Sequence, residues 1–256
     1  MSYLLLQNFF NAHPKAALGF SGGADSAFLL HAALRCGGDI KPYYVKTPFQ
    51  PGFELRDAEH VCGELNATLE VIAADVLSEP AVASNPPDRC YHCKHLIFTT
   101  IRCRALSDGY EILLDGTNAS DDAGDRPGMK ALRELGVLSP LRECGLRKGE
   151  IRRLSKEAGL FTWDKPSYSC LATRIPTGMP VTEELLDRVA AAENFLFGLG
   201  FSGFRVRALP DGSARLQVAA EQMEKVFSER EKIKEALSTY FTAVTLDLSP
   251  RMGERT

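Results

Sequence analysis

The chain has 256 residues, 45% hydrophobic and 25% charged, with a formal net charge of -3. Length and composition fit one large globular domain or two smaller ones, with a core that needs no disulfide or metal merely to fold. They argue against a dedicated nucleic-acid binder, which carries a basic surplus, and no apolar run approaches the roughly 20 residues of a membrane span.

Residues 1–10 hold three consecutive leucines but no basic region and no cleavage-site pattern, so no signal peptide is expected and the reading is cytoplasmic. Short apolar runs then alternate with helical patterns. Lys15 to Phe20 reads as a strand, Ala27 to Cys36 as a helix, Pro42 to Lys46 as a strand and Gly52 to Leu65 as a helix. Thr68 to Ala73, Lys94 to Leu106, Glu111 to Asp115 and Lys148 to Ala158 continue the series as strand, helix, strand and helix. This alternation predicts an α/β fold, a parallel sheet flanked by helices over residues 1–165. A Pro- and Gly-rich stretch at 166–180, holding Cys170, reads as a linker. Residues 181–256 then read as a small α+β domain. Thr182 caps a helix from Glu183 to Phe197, strands follow at Gly203 to Arg207 and Ala214 to Val218, and a helix from Glu221 to Leu237 precedes a strand at Ala243 to Leu248.

The first predicted strand runs into Ser21-Gly22-Gly23-Ala24-Asp25-Ser26 and then a helix. Glycines let backbone N–H groups approach an anion, and the helix dipole favours its charge. Ser21 and Ser26 add hydroxyls, while Asp25 suits a magnesium ion bridging the phosphates. The loop lacks the Gly-Lys-Ser/Thr ending of a Walker loop. Gly116-Thr117-Asn118-Ala119-Ser120-Asp121-Asp122 follows another strand, so Gly116 and Asn118 are placed at the same nucleotide crevice, with Asp121 or Asp122 as a second magnesium ligand.

Cys90-Tyr91-His92-Cys93 heads a predicted helix, and Cys170 lies far along the chain. The Cys-x-x-Cys spacing is open to three readings: half a zinc site, a redox dithiol, or part of an iron–sulfur site. Cys36, Cys62, Cys103 and Cys144 carry no partner pattern and read as packing residues. Arg205 and Arg207 stand at strand period two, a pairing suited to a phosphate or carboxylate.

The first loop resembles the PP-loop of the ATP pyrophosphatase superfamily, whose members adenylate a substrate and release pyrophosphate. A narrower resemblance, to the LarE family of ATP-dependent sulfur transferases, is carried by residues 85–94 (Asn-Pro-Pro-Asp-Arg-Cys-Tyr-His-Cys-Lys), by Asp115-Gly116-Thr117-Asn118 and by Asp125-Arg126-Pro127-Gly128. Trp163-Asp164-Lys165-Pro166-Ser167 and residues 170–178 (Cys-Leu-Ala-Thr-Arg-Ile-Pro-Thr-Gly) extend it. The resemblance implies that ATP adenylates a carboxylate of a pyridinium dicarboxylate mononucleotide and that sulfur displaces AMP, giving a thiocarboxylate in nickel-pincer nucleotide biosynthesis. The resemblance implies two versions: in one a single cysteine gives up its own sulfur and becomes dehydroalanine, and in the other three cysteines bind a 4Fe–4S cluster. Cys170 matches the cysteine common to both, and Cys90 and Cys93 match the additional pair of the second. All three are then expected to converge near the PP-loop. Arg205 and Arg207 match substrate-phosphate residues, Glu193 an acidic residue of the substrate site, and Arg174 is a further anion-binding candidate. ATP, Mg2+, inorganic sulfide or another sulfur donor, and a homo-oligomer with a hexamer as candidate state complete the expectation. Two readings compete. One is a cluster-dependent tRNA thiolase, against which stand ten basic and twelve acidic residues from Gly178 onward. The other is a nucleotide-binding regulator with structural zinc.

Overall fold

A computed structural model describes residues 2–121 and 127–251. In chain order the elements are α1 (Ser2–Ala12), β1 (Lys15–Gly19), α2 (Ala24–Arg35), β2 (Asp39–Lys46), α3 (Gly52–Glu64), β3 (Glu70–Ala73), α4 (Pro80–Ala83), α5 (Arg89–Ser107) and β4 (Leu113–Leu114). Then come α6 (Pro127–Glu134), α7 (Pro140–Glu143), α8 (Lys148–Glu157), α9 (Glu183–Gly198), β5 (Arg205–Ala208), β6 (Ala214–Gln217), α10 (Met223–Ser228), α11 (Arg230–Leu237) and β7 (Val244–Leu246). The chain divides into two compact units, residues 1–76 with 88–165, and residues 77–87 with 166–256. Among the described residues no helix is long and apolar enough to cross a membrane.

The first unit holds a parallel sheet of order β3-β2-β1-β4. The inner strands β1 and β2, and β4, are apolar on both faces because both are covered, whereas edge strand β3 stays partly exposed. Ala16 and Leu18 of β1 pack into one cluster with α1, α2 and α8, whereas Ala17 packs with Phe98, Ile101 and Ala105 of α5. Tyr44 and Tyr43 of β2, and Leu114 and Leu113 of β4, split between the faces in the same way. Strand β2 starts at Asp39, three residues before the sequence estimate, and runs through Pro42. The proline fits because β3 joins β2 only from Tyr43 onward, so the missing N–H falls where β2 has β1 alone as neighbour.

The second unit holds a three-stranded sheet, β5-β6 antiparallel and β6-β7 parallel. Thr182 caps α9, its hydroxyl accepting from Leu185 N at 3.2 Å. Leu186, Val189, Glu193 and Leu196 lie on the buried stripe of that helix. The helix expected over 221–237 is instead a 3₁₀ turn (Ala220–Gln222) followed by α10 and α11. Buried Val226, Ile233 and Leu237 keep a helical period across the break. Locally, the Ser228 hydroxyl turns back to Lys225 O at 2.9 Å, a competitor that periodicity does not register. Segment 77–87 joins this unit through Asn85, which is buried with φ 55°. Its amide donates to Pro176 O at 2.8 Å and Met179 O at 3.0 Å.

Candidate active site

In the first unit, β1 ends at Gly19 and α2 begins at Ala24, three residues earlier than the sequence estimate. Asp25 and Ser26 therefore stand in the first helical turn, where the dipole favours negative charge. Gly22 adopts φ 67°, and a Cβ there would meet Ala58 N at 2.7 Å, so only glycine fits. The hydroxyls of Ser21 and Ser26 lie 3.1 Å apart, and the Ser26 hydroxyl donates to Gly23 O at 3.2 Å. A Cβ on Gly116 would stand 3.1 Å from Ser26 N, so the second loop approaches the first backbone to backbone. That loop is set by buried Asp115, which accepts from Thr117 Oγ1 and, at 2.6 Å, from Ser139 Oγ. Asn118 is buried, its N–H donating to Asp121 Oδ2 at 2.9 Å and its Oδ1 accepting from Ser120 N at 2.7 Å. Asp122, Asp125 and Arg126 lie outside the described residues.

These loops open on a cavity of about 490 Å³. Ser21, Asp25, Ser26 and Asp121 line it, and so do Cys90 and Lys94. Asp25 accepts from Lys148 Nζ at 2.6 Å, while its Oδ1 is buried with no hydrogen-bond partner among the described residues. Burial pushes the Asp25 carboxyl up, Lys148 pulls it down, the Asp121 carboxylate pushes it up again and the Asn118 side chain lowers it. A buried orphan oxygen beside a second carboxylate is a donor set that fits a magnesium ion.

Helix α5 starts at Arg89, five residues before the sequence estimate, so Cys90 and Cys93 fall in its opening turns. Three residues apart, they share a face. Cys90 is exposed, Cys93 and Cys170 are half-buried, and none is in a disulfide. His92, between the two cysteines, lies 3.3 Å from Asp88 Oδ2. Lys94 escaped the sequence reading. Its stem packs on Gly128, where a Cβ would come within 3.0 Å of it. The available signal was its position, one turn beyond Cys90 on the same helix. Lys165 ties to the phosphate loop's surroundings, 2.5 Å from Asp57 Oδ2 and 3.4 Å from Gly22 O.

In the second unit, Cys170 opens a 3₁₀ turn (Leu171–Arg174). Arg174 is 0% exposed and Glu193 1%. They form a two-point pair, Nε to Oε1 at 2.8 Å and Nη2 to Oε2 at 3.0 Å. The remaining Arg174 nitrogen, Nη1, donates to Ser169 O at 2.7 Å and to Thr173 Oγ1 at 2.9 Å, holding the loop around Cys170. Glu193 also accepts from Val206 N at 2.9 Å and from the Tyr168 hydroxyl. Both residues are thus spent inside the unit, on the loop that follows Ser169 and on β5.

Arg205 is 4% exposed and Arg207 half-buried. Arg205 donates to Phe204 O at 2.8 Å and to Ser169 Oγ at 3.3 Å, and Arg207 donates to Gln217 Oε1 at 2.9 Å and to Thr173 O. The Tyr168 ring lies 4.5 Å from the Arg174 guanidinium and 5.5 Å from that of Arg205. Burial, then the charges of Arg174 and Arg251, push Arg205 down to about 10 and lower Arg207 for the same reasons. The charges of Arg174 and Arg251 act on both Arg205 and Arg207, while the one carboxylate acting on them, Glu193, pairs with Arg174. The surplus positive charge suits an anion. Among the described residues no group of three or more His, Cys, Asp or Glu side chains stands together as a metal site.

No family model matches the chain. It is 34% identical over 248 residues to an uncharacterized protein of Synechocystis, covering 95% of this chain and 92% of that one. It is 30% identical over 237 residues to the pyridinium-3,5-bisthiocarboxylic acid mononucleotide synthase of Lactiplantibacillus plantarum, covering 91% of this chain and 86% of that one. A more distant likeness, 23% over 193 residues and 59% of this chain, is to a tRNA-specific 2-thiouridylase of Thermotoga. The parallel sheet, the loop at Ser21–Ser26 and the extent of these matches agree: the first unit is a PP-loop domain, and the chain belongs to the LarE family of ATP-dependent sulfur transferases.

Proposed function

We propose that this enzyme uses ATP to activate a carboxylate of a pyridinium dicarboxylate mononucleotide and replaces the activated oxygen with sulfur, in nickel-pincer nucleotide biosynthesis. The observation that carries the proposal is a shared wall. Cys90 lines the same cavity as Ser21, Asp25 and Ser26, so a thiol faces the phosphate loop. The cavity's volume, about 490 Å³, is that of a small-molecule site.

A carboxylate is a poor electrophile because its leaving group is oxide. Attack of its oxygen on the α-phosphorus of ATP forms a new O–P bond and breaks the bond to pyrophosphate. Hydrosulfide then adds to the acyl carbon, and AMP departs with the former carboxylate oxygen. The N–H groups at the start of α2 and the hydroxyls of Ser21 and Ser26 hold phosphate where negative charge grows. Gly116 allows the second loop to close on the nucleotide, and Asn118 keeps that loop in shape. Asp25 and Asp121 would hold Mg2+, which when bound would offset part of the triphosphate charge. Arg205 and Arg207 take the substrate phosphate, while Glu193 and Arg174 fix the loop that carries Cys170. Cys90, Cys93 and Cys170 are a thiol set suited to a 4Fe–4S cluster, which when bound supplies an iron open to hydrosulfide. A reducing, cytoplasmic setting, an inorganic sulfide source and a homo-oligomer belong to the same proposal.

The test is anaerobic reconstitution with iron and sulfide, followed by turnover with ATP. One cluster per chain is expected, lost on Cys90→Ser, Cys93→Ser or Cys170→Ser, with the mass of Cys170 unchanged after turnover. Iron-free protein with all three thiols intact, or dehydroalanine at Cys170, overturns the cluster and leaves a sacrificial cysteine.

A further inference from the structure

Lys148 has no part in the mechanism above, yet it reaches the phosphate loop. It is the first residue of α8, its N–H donates to Ser120 Oγ at 2.9 Å, and its Nζ lies 2.6 Å from Asp25 Oδ2. A cation in the first turn of a helix opposes the helix dipole, so α8 itself gains nothing from lysine there. The compensation is Asp25, in the first turn of α2. Asp25 Oδ1 is buried and makes no close hydrogen bond among the described residues, and Asn118, whose side chain also acts on this carboxylate, is neutral, so Oδ1 can still take a cation. Asp121 adds a second carboxylate on the cavity wall.

An ammonium and a divalent cation compete for the same oxygens. The divalent ion wins once phosphate oxygens complete its shell. The lysine stem has four carbons and can swing without moving α8. Resting on the reading of this cavity as the Mg-ATP site, we propose that Lys148 is a nucleotide-binding residue held in reserve by Asp25. In the nucleotide-free enzyme its ammonium occupies Asp25. The metal arriving with ATP takes the carboxylate, and the displaced ammonium, still protonated, turns to the triphosphate. There it meets the charge that builds on departing pyrophosphate. The opposing view is that Lys148–Asp25 merely ties α8 to α2.

Two measurements on the full chain separate these views. The first uses Mn2+ alone as probe, with binding to nucleotide-free protein read by electron paramagnetic resonance, and Mg-ATP binding read by calorimetry. Lys148→Gln is expected to bind Mn2+ about tenfold tighter and Mg-ATP about tenfold weaker than wild type, with Lys148→Arg near wild type on both. Unchanged Mn2+ affinity in Lys148→Gln overturns the exchange. The second needs no variant: amine-reactive labelling of wild type, read by mass spectrometry. Labelling of Lys148 should rise with Mn2+ alone and fall with Mg-ATP, and a signal indifferent to both also overturns the exchange. Wild type that fails to bind Mg-ATP sinks the nucleotide reading itself. Wild type that binds it while Lys148→Gln behaves identically sinks only the role of Lys148.

Discussion

The phosphate-loop cavity of the first unit and the arginine cluster of the second hold their charges in opposite ways. Around the loop, Asp25 and Lys148 are partly exposed, with side chains 24% and 22% accessible, and each can change partner. In the second unit Arg174 and Glu193 are sealed, at 0% and 1%, and saturated with hydrogen bonds. The first arrangement suits a ligand that brings its own metal and leaves in pieces. The second suits a fixed frame beside which Arg205 and Arg207 are held by hydrogen bonds to Phe204 O, Ser169, Thr173 O and Gln217. A buried pair of this kind adds little net stability over an apolar pair, yet losing one partner strands a charge. The difference therefore predicts where a substitution damages folding and where it damages binding.

The largest expected effect is on the sealed frame. Glu193→Ala leaves Arg174 buried and unpaired and should cost about 3–5 kcal/mol, read as a fall in the urea midpoint. A loss well under 1 kcal/mol would mean that the frame is not the rigid half of the comparison. Next, Gly22→Ala forces an unfavourable φ and a clash with Ala58 N, at about 1–3 kcal/mol, with Mg-ATP binding abolished in calorimetry. Retained nucleotide affinity would detach the loop from ATP. Arg207→Ala removes charge-assisted hydrogen bonds worth roughly 1.5–3 kcal/mol and should weaken mononucleotide binding by about 10- to 100-fold. Mg-ATP affinity should not move, and a parallel loss of both would erase the distinction between the two regions.

The smallest effect lies outside both. Lys41 at 2.5 Å and the Tyr43 hydroxyl at 2.8 Å hold the Asp108 carboxyl below its usual range. A folded value below the unfolded one means that the contribution is complete above about pH 4 and fades as the pH falls through the folded value. Asp108→Asn should therefore narrow the stability difference between pH 7 and pH 3, measured by urea unfolding at each pH. An unaltered acid limb would place the acid sensitivity in the charged sites instead.

How much of this was legible beforehand follows from the range of the forces involved. The loop at Ser21–Ser26 was readable because strand, glycines and helix start are consecutive, and backbone geometry dictates their chemistry. The α/β alternation was readable for the same reason, down to Thr182 as a cap. Helices α2 and α5 start earlier than the sequence predicts, since the first turn of a helix carries loop-like residues, and the periodicity gives no sign of α1, α4, α6 or α7. Glu193 carries a faint local signal, an acid on an apolar stripe, and only family resemblance suggests a place for it in the substrate site.

The sequence alone determined the phosphate loop, the cysteine spacing and the alternation of elements, because each depends on residues within a few positions of one another. Only the tertiary structure decided that Pro42 lies inside a strand, that Asn85 binds segment 77–87 to the second unit, that Glu193 is spent on Arg174, and that Lys148 holds Asp25 from 123 residues away. Those outcomes depend on which distant groups a buried donor or acceptor can reach, and an unsatisfied polar group in a packed interior takes whatever partner the fold presents.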